Sequence, residues 1–280
     1  MKLTFVRPCA ELQPFIQSMW VFESATGLPP PETNMAAPNG CPKLIISYRN
    51  AITSVAEGRV QNNREQGVYF VGTRDVPVVL RTSPTQTRFI GIEFFPHGAY
   101  PIFGIPMHET ANRLLSVSEL SAAWGGGVSD VLSHLDNVKQ RFEFIQRELC
   151  TLLRKRKLLN PLVSYCVGKL KGTHGLLTIA ELEHDTGYTR RYLELLFSDH
   201  VGLSPRTLGS IFRFQKFYRT WANRKTFEEL KDELYDYYYD QAHFSKEFKR
   251  MTGYSPQHYV RTVTNEFGRR LSLQEPSHSS

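Results

Sequence analysis

Cysteine is scarce in this chain of 280 residues: there are four, at Cys9, Cys41, Cys150 and Cys166, with no CxxC pair and no histidine at metal-ligand spacing. That pattern excludes a disulfide scaffold or a zinc ribbon and leads us to expect reduced, mostly buried thiols. Long apolar runs are missing as well. No stretch approaches the roughly 20 residues that span a bilayer. The opening MKLTFVRPCAEL has no apolar leader core, so the expectation is a cytoplasmic protein with no membrane partner. Catalytic constellations are equally thin. His97 and His108 stand apart from the clustered carboxylates that a cupin-type metal site needs, and no Ser/His/Asp or Cys/His set emerges from spacing. HDTG at 184–187 looks like an aspartic-protease loop but has no second copy. GGG at 125–127 lacks the lysine and strand–helix context of a phosphate loop and reads as a flexible connector. The sequence therefore implies no catalytic residues, no metal and no cofactor.

What is present is ordinary globular composition, 41% hydrophobic and 22% charged, in a chain long enough for two domains. The charge is uneven. Residues 1–154 carry 14 Lys and Arg against 13 Asp and Glu, whereas residues 155–270 carry 20 against 13. A basic half beside a near-neutral half points to a polyanionic partner.

The basic half also repeats itself. An offset of 51 residues superimposes Thr189 on Asp240, Leu193 on Phe244, Phe197 on Phe248, Gly202 on Gly253, Ser204 on Ser255 and Pro205 on Pro256. Each copy starts at a helix N-cap type, runs about ten residues with one apolar face, and ends at glycine followed by proline. Upstream lie LTIAELEHDTG (177–187) and TFEELKDELYDYYY (226–239), in which Thr178/Glu181 and Thr226/Glu229 have capping-box spacing. Helix, tight turn, helix is the plan that sets a second helix into a major groove. Between the copies, SPRTLGSIFRFQKFYRTWANR reads as one long helix with Phe212 or Phe214, Phe217 and Trp221 inward.

These pieces (GYTRRYLELLF, IFRFQKF and YYDQAHFSKEFKRMTGYSP with Tyr259) resemble the DNA-binding domain of the AraC/XylS family of bacterial transcription regulators, from about Lys157 to Arg261. The resemblance implies two helix-turn-helix units reading successive major grooves of double-stranded DNA. It also implies RNA polymerase as a protein partner and a small-molecule effector. Two coupled readers in one chain multiply specificity without a dimer. Two departures stand out: Leu195 occupies a position where the family has arginine, and Tyr237 aligns with the glycine that opens the second turn. The alternative reading is a ligand-binding or protein-interaction regulator whose second unit has lost DNA affinity.

Helical spacing selects the readers. Leu193, Leu196 and Phe197 face inward in the first helix, leaving Arg191, Glu194, Leu195 and Ser198 opposite. In the second, Phe244, Phe248 and Met251 face inward, leaving Ala242, Ser245, Lys246 and Lys249 opposite, with Gln241 near the start. Arginine pairs with guanine, glutamate accepts from cytosine, and glutamine grips adenine. Arg190, Lys249 and Arg250 are candidates for phosphate, and the cap residue Thr189 is a further DNA-binding candidate.

The first half reads as strands: PKLIISY (42–48), GVYFVGTRDVPVVLRT (67–82) and TRFIGIEFFP (87–96), the last alternating as a half-buried strand does. PNGCPKLII, FVGTRDVPVVL and FIGIEFFPHGAYPIFGIPMHE resemble an uncharacterised domain fused to such DNA-binding units, which implies a barrel-like sensor or oligomerisation module. Leu135, Val138, Phe142, Ile145, Leu149 and Leu152 form a seam along a helix expected over 128–157. That seam serves either a homodimer through 135–152 or packing onto its own barrel. The expected architecture is α+β and multidomain: a β-rich barrel-like domain (1–127), the connecting helix (128–157), an all-α double helix-turn-helix domain (158–262) and a tail (263–280).

Overall fold

A computed structural model describes residues 1–28, 35–120, 122–156, 159–223, 234 and 236–262. The strands are β1 (Lys2–Val6), β2 (Ile16–Ser24), β3 (Met35–Ala36), β4 (Lys43–Arg49) and β5 (Thr53–Ala56). They continue with β6 (Arg59–Asn62), β7 (Gly67–Val71), β8 (Val78–Arg81), β9 (Thr87–Phe94) and β10 (Leu114–Ser116). The helices of the same half are α1 (Tyr100–Phe103), α2 (Val117–Leu120), α3 (Ala122–His134) and α4 (Val138–Arg154). The second half holds α5 (Pro161–Gly172), α6 (Ile179–Thr186), α7 (Arg190–His200), α8 (Pro205–Asn223), α9 (Gln241–Thr252) and α10 (Pro256–Thr262).

One antiparallel sheet has the order β1-β2-β9-β4-β7-β10, and a smaller one the order β3-β8-β5-β6. They are two separate sheets, so the barrel-like expectation holds only loosely. The large sheet is covered on both faces. Met19, Val21, Ile90, Ile92 and Phe94 face α1–α4, while Trp20, Phe22 and Phe89 face Ile52 and Leu80 of the small sheet's side. β9 was expected to be half-buried, but its alternate face is covered too. Gly91 makes room there for the Trp20 ring, which a Cβ would meet at 2.2 Å. Glu93 is buried and offsets its charge against Lys43 at 3.2 Å, with Gln17 donating at 3.0 Å.

The helix expected over 128–157 is two helices, and residue 157 lies outside the described residues. The break falls at Leu135–Asn137, where the Asn137 side chain accepts the Gln140 N–H at 2.9 Å and starts α4 as a cap. Phe142, Ile145 and Leu149 are buried in the chain's own sheet–helix core, with Leu135, Val138 and Leu152 packed at its rim. The seam is therefore occupied within one chain, as the packing alternative expects. The GGG segment is not a connector; it lies inside α3. Burial of Trp124, Val128 and Leu132 on the core overrides the poor helix propensity of three glycines.

The helical half packs around α8, whose Leu208, Ile211, Phe214, Phe217 and Tyr218 are buried against α5, α7, α9 and α10. Phe214, not Phe212, is the inward residue. The side chain of Trp221, the Thr226/Glu229 pair and the tail 263–280 lie outside the described residues, as does most of 226–239.

The two halves meet along a specific seam. Met35 belongs to the helical core, the Gln215 amide donates to the Pro38 carbonyl at 2.5 Å, and the Thr73 hydroxyl donates to the carbonyl of Val201 just past α7. Beside this contact the His200 ring lies 4.0 Å from Tyr100, and His97 stacks on Phe95 at 6.3 Å.

Two outcomes follow from this architecture. Gly127 is exposed in α3 with nothing within 4 Å of a Cβ, so Gly127→Ala should raise stability in chemical denaturation by about 0.5–1 kcal/mol. His97 has an unpartnered Nδ1, and burial, with a smaller contribution from His200, lowers its pKa to about 4. From about pH 6.5 down to 4 the unfolded chain takes up a proton that the folded chain refuses, so stability falls with pH across that window. The loss is about 2–3 kcal/mol for this one group, and His200, shifted the same way, adds to it. His97→Gln should flatten the curve of melting temperature against pH between those values; an unchanged slope would remove His97 as its source.

Candidate nucleic-acid interface

In the first helical pair, α6 opens with a complete capping box between Thr178 and Glu181 and closes at Gly187, whose φ of 72° ends the helix in a left-handed turn. Thr189 caps α7 by accepting the Tyr192 N–H, so its hydroxyl is already engaged. Leu193 and Phe197 are fully buried, Leu196 partly. Arg191 is exposed, Leu195 is 59% exposed, and Glu194 and Ser198 are half-buried. Arg190 is exposed and pairs with Glu194 one turn on at 2.8 Å, while its backbone N–H goes to Glu183 at 2.5 Å. Tyr188 and Tyr192 stack at 5.0 Å and extend the exposed surface beside Leu195.

In the second pair, Asp240 caps α9 by accepting the His243 N–H at 2.6 Å, and Gly253 ends it at φ 81°, as Gly202 at φ 79° follows α7. The 51-residue repeat of the sequence is thus a repeat of structure. Phe244, Phe248 and Met251 are buried. Gln241, Ala242, Lys246, Lys249 and Arg250 are exposed, and Ser245 is half-buried. Leu234, Asp236 and Tyr237 are helical, with the Tyr238 N–H donating to the Leu234 carbonyl at 2.9 Å. Tyr237 therefore avoids the positive φ that glycine would supply, and its half-buried ring lies 6.4 Å from His174.

Spacing alone did not reveal a buried anchor under α9. Glu247 is only 6% exposed and takes Arg213 of α8 at 3.1 Å and Arg250 at 3.5 Å. Arg250 also donates to Ser210 of α8 at 2.7 Å. The contacts from Glu247 to Arg213 and from Arg250 to Ser210 span 34 and 40 residues, so no local pattern announces them. A cleft of about 820 Å³ separates the two helical pairs, and Arg190, Arg206, Arg213, Lys246 and Arg250 line it with Glu194 and Glu247. Arg206 and Arg213 were missed, although a spacing of seven places both on one face of α8.

Among the described residues no group of three or more His, Cys, Asp or Glu could hold a metal ion. None of the described helices is long and apolar enough to cross a membrane. Cys41, Cys150 and Cys166 are buried, and Cys9 is exposed.

Residues 182–262 match a family described as a helix-turn-helix domain, and residues 4–116 match a domain of unknown function, DUF6597. The F1 operon positive regulatory protein of Yersinia pestis is 29% identical over 109 residues, covering 38% of this chain and 34% of that protein. The chain thus spans about a third of the length of that relative. Apo ToxT K231A from Vibrio cholerae is 12% identical at a TM-score of 0.44, with 88% of this chain and 98% of that chain covered. Unsaturated-fatty-acid-bound wild-type ToxT from the same organism is 12% identical at a TM-score of 0.45, with 88% and 95% covered. The chain thus carries a DUF6597 domain ahead of a helix-turn-helix domain.

The helical state of Tyr237 sets a direction for its replacement. Tyr237→Gly should lower the melting temperature, by the equivalent of at least about 0.5–1 kcal/mol, because glycine frees the unfolded chain and removes a packed ring. A higher melting temperature would show that the turn prefers the geometry glycine permits.

Proposed function

We propose that this protein is a sequence-specific DNA-binding transcriptional regulator whose two helix-turn-helix units read successive major grooves under the influence of the N-terminal domain. One observation carries the reading: two capped helices 51 residues apart, each buried on its apolar face and open on its polar face, flank a cleft lined by five cations. In this reading Arg191 pairs with guanine, Glu194 accepts from cytosine N4, and Gln241 grips adenine. Leu195 meets a thymine methyl, and Ser198, Ala242, Ser245 and Lys246 line the base edges. Thr189, Arg190, Lys249 and Arg250 face phosphate. RNA polymerase and a small-molecule effector are the further partners this reading assigns. The helical Tyr237 supports a competent second unit over one that has lost DNA affinity.

Affinity for a selected duplex, followed by fluorescence anisotropy, should fall log-linearly with salt, with a slope of about −0.9 per phosphate neutralised. Arg191→Ala should cost about 1–3 kcal/mol and relax preference at one base pair only. Salt-insensitive affinity would sink the reading, and unchanged discrimination at every base pair would remove Arg191 from the readers.

A further inference from the structure

Two of the four cysteines, 141 positions apart, meet where the turn after β1 packs on α4. The Cys9 carbonyl accepts the N–H groups of Leu12 at 2.9 Å and Gln13 at 3.2 Å, which folds PCAELQ into a single 3-10 turn over Ala10–Leu12 and buries Leu12 in the core. On α4, Gln146, Cys150 and Arg154 recur every fourth residue and so share one face. That face holds the turn at three points. Gln146 anchors its amide N–H on the Phe142 carbonyl at 3.3 Å and accepts the Cys9 N–H on its oxygen at 2.7 Å. Arg154 grips the Glu11 carboxylate through two hydrogen bonds, at 2.9 and 2.7 Å. Between these two clamps the Cys9 and Cys150 sulfurs lie 3.7 Å apart and share a hydrogen bond.

The two thiols differ in access. Cys9 is exposed. Cys150 is only 7% exposed, and burial, with the Cys9 sulfur beside it, pushes its thiol up to about 12. Cys9 is thus the sulfur that an oxidant reaches first, and Cys150 the one that answers it from within. Cys41 and Cys166 are buried elsewhere in the fold. We propose that Cys9 and Cys150 form a peroxide-reactive site that closes to an intramolecular disulfide.

The chemistry balances with hydrogen peroxide as the oxidant. The Cys9 sulfur attacks one peroxide oxygen, the O–O bond breaks, and a sulfenic acid forms on Cys9 as the other oxygen leaves as water with the thiol proton. Cys150 then attacks the Cys9 sulfur. The S–S bond forms, the S–O bond breaks, and the departing hydroxide takes the Cys150 proton to give a second water. The thiol pair loses two electrons and two protons, and one peroxide is reduced to two waters. Closure brings the sulfurs from 3.7 Å to the roughly 2.05 Å of a disulfide. Gln146 and Arg154 hold the backbone on either side of that gap, so the second step joins groups already in contact and outpaces capture of the sulfenic acid by a thiol in solution. A bond between positions so far apart in the chain restricts the unfolded state and stabilises the folded one. The site belongs to the N-terminal half and does not depend on the DNA-binding reading.

The test uses the full chain, reduced and then freed of reductant, with hydrogen peroxide in modest excess. Intact-mass measurement should show the loss of two hydrogens per chain, and peptide mapping should place the cross-link between Cys9 and Cys150. The product should run as a single chain on a non-reducing gel and melt several degrees higher, and dithiothreitol should reverse both changes. Cys150→Ser should stop at a Cys9 sulfenic acid that dimedone captures. Cys9→Ser should abolish the cross-link, and since Cys9 is exposed this variant decides the matter if the Cys150 replacement does not fold. Peroxide that leaves both thiols open to alkylation would overturn the site. So would a Cys9 sulfinic acid beside an unreacted Cys150, a cross-link through Cys41 or Cys166, or a covalent dimer through Cys9 in place of the internal bond.

Discussion

The hydrogen bond from Thr73 to the Val201 carbonyl joins the two halves at the point where orientation matters most. The last carbonyls of a helix need partners from outside it, and here a loop of the β-rich half supplies one for α7. Gly202 follows at once, and a Cβ there would lie 2.7 Å from the Met107 carbonyl. Only glycine permits so close an approach at a φ of 79°. The direction in which α7 presents Arg191 and Leu195 is therefore set by the β-rich half as much as by the helical core beneath it.

α9 is tied to α7 through α8. Phe217 meets Phe244 at 4.7 Å, Phe214 meets Phe248 at 5.8 Å, and Arg213 meets buried Glu247 from the same face. Aromatic packing supplies most of the stabilisation. The buried ion pair adds little net energy, but it penalises any slip of α9 along α8 that would leave Glu247 unpaired. In the proposed function this fixed spacing is what a double contact with one duplex requires.

The parts legible in the sequence were those written in neighbouring residues. Caps at Thr178, Thr189 and Asp240, the glycines that end α7 and α9, and the alternation along β9 all act within one or two turns of chain. Three features stayed hidden because each depends on residues far apart. The destination of the 135–152 seam depends on a sheet built by residues 2–116, although the Asn137 cap that breaks the seam is itself local. The glycines of α3 are helical only because Trp124 and Val128 have a core to enter. Glu247 looks like a surface residue of an exposed helix until Arg213 arrives from 34 positions away. In the site, the exposed faces of α7 and α9 could be drawn from periodicity, whereas the cations that α8 adds to the cleft, Arg206 and Arg213, could not be placed without the packing of α8.

That packing also ranks the candidate contacts. Arg190 and Arg250 are both paired within the chain, yet the pairs differ in kind. Arg190 and Glu194 are mostly solvent-exposed, so their pair contributes between nothing and about 1 kcal/mol and can be exchanged for a phosphate at small cost. Arg250 is held by buried Glu247 and by Ser210 together. Pulling it away would leave Glu247 to Arg213 and to His243 at 3.9 Å, a poorer set of partners for a carboxylate with little access to water. In the proposed function Arg190 is thus free to move to a phosphate, whereas Arg250 positions α9 and would meet a phosphate only from where it already stands.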